Sequence, residues 1–162
     1  MGRRATIIDA MTSEYFPRED YSKQDLDEWE FRGACRPYHD PRLRHERMID
    51  RSPNGRWRIK DRIESTRPHR VTSWLHLSQE TTIERRAPFL LAITHAGKRY
   101  QLEAFGFAEL ELIHAAPGRP EGWYFPEFGR ALPGWAIRCT VEARPAIPFG
   151  VSLTPEASTL NQ

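Results

Sequence analysis

From Glu28 onward, apolar and polar positions alternate in short runs broken by turn residues. EWEFRGACR (Glu28–Arg36) sets Trp29, Phe31, Gly33 and Cys35 against charged or small neighbours, the period-two mark of a half-buried strand. RHERMID (Arg44–Asp50) and RWRIKDRI (Arg56–Ile63) flank Pro53-Asn54-Gly55. Asn-Gly favours positive φ at both turn positions, so the pair reads as a hairpin. Its second strand puts Trp57, Ile59, Asp61 and Ile63 on one face and Arg56, Arg58, Lys60 and Arg62 on the other. In HRVTSWLHL (His69–Leu77), Val71, Leu75 and Leu77 oppose Trp74 and His76. ETTIERR, FLLAITH, the Ala96-Gly97 turn, KRYQLEAF and ELELIHAA continue the pattern. The aromatic GWYFPEFG (Gly122–Gly129) follows, then GWAIRCTVEA and IPFGVSLTP. ATIID (Ala5–Asp9) is a first strand, and SKQDLDEW (Ser22–Trp29) offers one or two helical turns capped by Ser22.

About eleven strands at this spacing predict an all-β protein, an antiparallel β-sandwich with no substantial helical domain. Residues 1–155 form a single domain in this reading, and 156–162 form a frayed tail. At 162 residues and 39% hydrophobic, the chain suits one domain with a real core. No run approaches the ~18 apolar residues of a membrane helix, so no membrane insertion is expected. No signal peptide is legible in MGRRATIIDAM. Cys35 and Cys139 form no CxxC pair and read as plain buried or half-buried thiols.

Net charge is only +2, but it is unevenly spread. Glu14 to Glu30 holds seven acids and two bases, whereas Arg32 to Arg70 holds twelve bases and five acids. With 21 Arg against 3 Lys, the basic stretch favours planar oxyanions, which guanidinium forks bind bidentately. A solvated strand face is the structural alternative. The signatures of nucleic-acid readers are missing, so no nucleic-acid partner is expected.

Individual residues then become candidates for contact with an anionic partner. His45 and Arg47 share a strand face and could bind a carboxylate, or else bridge to Asp61 or Glu64 of the paired strand. Arg56, Arg58 and Arg62 supply a basic stripe. Trp74 with His76, and Trp123, could stack on sugar rings, although strand aromatics also build cores. Tyr38 and His39 are an acid–base pair by residue type. His39, Asp40 and His45 form a loose His/Asp group, but Pro41 intervenes and no convergent ligand set results.

Three segments resemble the C-terminal β-domain of heparinase II/III-like polysaccharide lyases, a group that includes alginate and oligoalginate lyases. They are GACRPYHDPRLRHER (Gly33–Arg47), WRIKDRIESTRPHRV (Trp57–Val71) and GWYFPEFGRALP (Gly122–Pro133). RATIID (Arg4–Asp9) is similar to an early strand of that domain. The resemblance implies β-elimination of uronic-acid polysaccharides, an acidic polysaccharide partner and a periplasmic or cell-envelope setting. In such lyases the chemistry falls to an N-terminal helical toroid and to a His-x-His motif. No His-x-His occurs here, so no catalytic residue, metal ligand or cofactor carries over. The family's metal site is expected to lie upstream of this chain. The expectation is therefore a lyase β-domain, accessory or truncated, whose partner is a helical domain or another chain. A free-standing module that binds acidic carbohydrate or another protein is the alternative. A small metal enzyme built on His39, Asp40 and His45 is a third reading.

Overall fold

A computed structural model of the chain describes residues 10–15, 28–37, 40, 42–143 and 147–156. They form thirteen strands and no helix. In chain order these are β1 (Ala10–Tyr15), β2 (Trp29–Pro37), β3 (Arg44–Arg51), β4 (Trp57–Glu64), β5 (His69–His76), β6 (Thr81–Ala87) and β7 (Leu90–His95). Then come β8 (Lys98–Phe105), β9 (Glu109–His114), β10 (Trp123–Glu127), β11 (Arg130–Pro133), β12 (Trp135–Ala143) and β13 (Phe149–Pro155). The predicted strand Ala5–Asp9 and most of the predicted helical turn Ser22–Trp29 lie outside the described residues.

An eight-stranded sheet runs β1-β2-β3-β4-β13-β8-β7-β6, and a three-stranded sheet runs β5-β12-β9. Strands β10 and β11 pair only with each other. Every ladder is antiparallel. The last strand, β13, inserts between β4 and β8 and so joins the two halves of the large sheet. There Gly150 is required by close approach: a Cβ on it would sit 2.0 Å from the Ile59 carbonyl oxygen.

The core lies between the sheets. Ile63, Leu91, Ile93, Leu102, Phe149 and Val151 of the large sheet meet Ile137 and Cys139 of the small one. Phe107 closes edge-on against Phe149, with centroids 5.3 Å apart. Val71, Leu75, Leu110, Leu112 and Val141 complete the inner face of the small sheet. Three strands cannot cover eight. From the large sheet the core draws on β4, β13, β8 and β7, with Ile83 of β6 packed against it, and among the described side chains none of β2 or β3 belongs to it. Strands β2 and β3 therefore form a wing beyond the sandwich proper.

Two turns show how sequence sets local geometry. Ala96 and Gly97 both have positive φ (48° and 74°), giving a two-residue hairpin with His95 opposite Lys98. At Pro53-Asn54-Gly55 the hairpin forms, but only Gly55 has positive φ (78°). Pro53 fixes its own φ near −65°, which selects a type I turn followed by a left-handed Gly55. The Gly55 N–H donates to the Ser52 carbonyl at 2.9 Å, and the Ser52 N–H to that of Arg56 at 2.9 Å. Glu156, assigned to the tail by sequence, is held by ion pairs with Arg86 and Arg99.

Candidate functional site

Strands β3 and β4 carry most of the sequence-predicted site, and their register divides it between two faces. Arg47 pairs with Asp61 and His45 with Ile63, so His45, Arg47 and Asp61 all point to the core side. Asp61 is 2% exposed. Arg47 grips it bidentately, Nε to Oδ1 at 2.7 Å and Nη2 to Oδ2 at 2.9 Å. His45 Nε2 lies 2.8 Å from Oδ1. Beside an ionised carboxylate that nitrogen carries the proton and donates. Burial pushes the Asp61 carboxyl up, but the hydrogen bonds from His45 and Arg47 outweigh it and hold it below its ordinary value. The same hydrogen bond raises the Arg47 guanidinium. The carboxylate that His45 and Arg47 bind is thus the protein's own. Cys35, opposite His45 on β2, is half-buried, and burial raises its thiol against the opposing pull of Arg47.

The outer face of β4 is basic in sequence and largely neutralised in space. Arg58 Nε reaches Asp50 Oδ2 at 2.8 Å, and Arg62 lies 3.6 Å from Glu64. Glu46 stands opposite Arg62 and also pairs with Arg44. Arg56 sits at the turn, half-buried, with an Nε that has no hydrogen-bond partner among the described residues. The local excess of bases is therefore not a bare basic stripe, because acids on the neighbouring positions meet it.

The outer face of the small sheet holds a second group. Trp74 and His76 stack with centroids 6.2 Å apart and planes 15° from parallel. Arg138, opposite Trp74 on β12, places its guanidinium 5.8 Å from the Trp74 ring and ion-pairs with Glu111 of β9. Sequence reading missed Arg138 and Glu111; only the β5-β12-β9 register sets Arg138 between Trp74 and Glu111. Trp123 is half-buried and donates its indole N–H to the Arg119 carbonyl at 2.8 Å. Beyond it, Tyr124, Phe125 and Phe128 are exposed on the β10–β11 hairpin.

Tyr38 and His39 lie outside the described residues. No group of three His, Cys, Asp or Glu residues suited to a metal occurs among the described residues. Both cysteines are free, Cys139 fully buried. The structure thus keeps the predicted residues apart, in a core-facing triad, a charged outer face and an aromatic face on the second sheet.

This architecture is a heparinase-like β-sandwich. Solved structures with the same fold include heparan sulfate lyase HepC from Pedobacter heparinus, at TM-score 0.66 and 13% identity, with 88% of this chain and 21% of that one covered. A heparinase III gene product matches at TM-score 0.65 and 12% identity, covering 91% of this chain and 22% of its own. This chain therefore spans about a fifth of the length of the structures it matches. The neighbours named give the alginate-lyase side of the sequence resemblance no support. No protein-family model and no curated protein matches the chain in sequence.

Proposed function

We propose that this chain is the β-sandwich part of a heparinase-like polysaccharide lyase and contributes contacts to an acidic polysaccharide without an acid–base set of its own. One observation carries the reading: the fold likeness to a heparan sulfate lyase and a heparinase III gene product over 88–91% of the chain. The state of the His45–Asp61 pair supports the second half. β-Elimination needs a base for the C5 proton and an acid for the leaving oxygen. Both Asp61 oxygens are already bound, by His45 and by the Arg47 fork, so this carboxylate serves packing. The charged strands and the Trp74–His76–Arg138 face are the surfaces offered to a glycan. The elimination chemistry belongs to a helical partner domain or chain.

The test combines two readouts on one sample. Mixed with heparan sulfate, the purified chain retards the polymer in affinity electrophoresis and produces no unsaturated-uronate absorbance. A rise in that absorbance overturns the accessory role, and unretarded polymer overturns the glycan contact.

A further inference from the structure

Most arginines in the described strands are matched by acids, whereas Arg42 and Arg67, which lie between strands, are not and line one cleft. Asp40 and Arg42, ahead of β3, and Ser65, Thr66, Arg67 and His69, after β4, line a solvent-open cleft of about 90 Å³. Arg42 and Arg67 are exposed, and neither guanidinium has an ion-pair partner among the described residues. The floor is ordered by local bonds. The Arg67 N–H donates to Ser65 Oγ at 3.2 Å, a turn closed by the serine hydroxyl. Ser65 Oγ and His69 Nε2 share a hydrogen bond of 2.7 Å. The single acid, Asp40, has Oδ1 occupied by the Arg42 backbone N–H at 3.3 Å. Two guanidinium charges against one carboxylate leave an excess of one positive charge, beside two hydroxyls and an imidazole.

We infer that this cleft is a binding site for a single oxyanion, the carboxylate or sulfate of an acidic sugar whose ring remains outside. Size sets that limit: the cleft is well below the ~300–1,000 Å³ of pockets that enclose whole small molecules. Chemistry sets the ligand: two forked cations without ion-pair partners among the described residues match a planar carboxylate or a sulfate, and hydroxyls complete its hydrogen bonds. The site is distinct from the His45–Arg47–Asp61 group, whose carboxylate is internal. The identity of the ligand as a sugar rests on the acidic-glycan reading above; the oxyanion site does not.

The experiment follows the His69 ring resonances by NMR, assigned with His69→Gln, while sodium sulfate, sodium glucuronate or N-sulfoglucosamine is titrated at low ionic strength. A saturable shift in the wild type that is lost in the Arg42→Ala/Arg67→Ala variant is expected. Saturation at lower concentration with glucuronate assigns the site to carboxylate, and with the sulfated sugar to sulfate. No saturable shift with any of the three, or the same shift in the double variant, overturns the site. A heparan sulfate oligosaccharide is then titrated into the same proteins, with Arg130→Ala as a distant control. The double variant is expected to bind about tenfold more weakly, the loss of a charge-assisted contact, and the control unchanged. Equal binding by the double variant overturns the cleft as a glycan site and leaves the lyase-domain reading standing. Wild type that ignores the oligosaccharide yet shows the His69 shift keeps the oxyanion site and removes its glycan ligand.

Discussion

Arg47 on β3 holds the Asp61 carboxylate of β4 through two parallel hydrogen bonds of 2.7 and 2.9 Å, on the side of the sheet that faces the core. A charge this deeply buried is tolerated only while its partner is present. Arg47→Ala leaves Asp61 with His45 alone and is expected to cost about 3–5 kcal/mol, the usual price of orphaning one member of a buried pair. Replacing both, as Arg47→Met with Asp61→Leu, should cost less than the two single changes together. Urea titrations of the four proteins check this. Additive losses would mean the pair is not coupled.

The same pair sets an acid limit on stability. Asp61 titrates below its ordinary value of 3.8 in the folded chain. Its stabilisation is therefore complete above that value and is lost as pH falls through the lower folded-state value. Asp61→Asn should be less stable at neutral pH and should lose less on acidification. Parallel acid-unfolding curves for wild type and variant would contradict this.

How much of this was legible beforehand depended on range. Alternation placed most strands within a residue or two, because each exposes one face and buries the other. It also put His45, Arg47 and Asp61 in play, since residues two apart share a face and the hairpin turn pairs β3 with β4. AMTSEY (β1) and RALP (β11) lack an apolar period and gave no signal. Pairings between distant segments were out of reach. Arg138 meets Trp74 on one side and Glu111 on the other only through the register of three strands far apart in the chain. The basic stripe was visible as composition, but its neutralisation by Asp50 and Glu64 depends on side-chain geometry across the ladder and along the strand.

Thiol reactivity reports on the core. Cys139 has no exposed surface, and burial pushes its thiol up to about 11. It should resist a disulfide reagent in the native state at neutral pH, since the thiolate is the nucleophile. Cys35, half-buried with its own thiol raised, should react slowly. Both should react at once in guanidinium. Rapid native labelling of two thiols would show that the large sheet does not cover Cys139.

Gly150→Ala tests the insertion of β13. The added methyl meets the Ile59 carbonyl oxygen at 2.0 Å and the Phe105 ring at 3.0 Å, so β4 or β13 must move. The loss expected is about 3 kcal/mol or more, in the upper tail for point changes. Thermal unfolding unchanged from wild type would refute the β4-β13-β8 order. Gly97→Ala, with nothing within 4 Å of its Cβ but a φ of 74°, should cost much less.

The central claim is that this heparinase-like sandwich binds an acidic glycan, and isothermal titration with heparan sulfate oligosaccharide at low salt tests it most directly. Binding is expected, weakening steeply as salt screens the charges, while neutral dextran gives no heat. Absence of heat with heparan sulfate at low salt, or equal binding to dextran, would contradict the account.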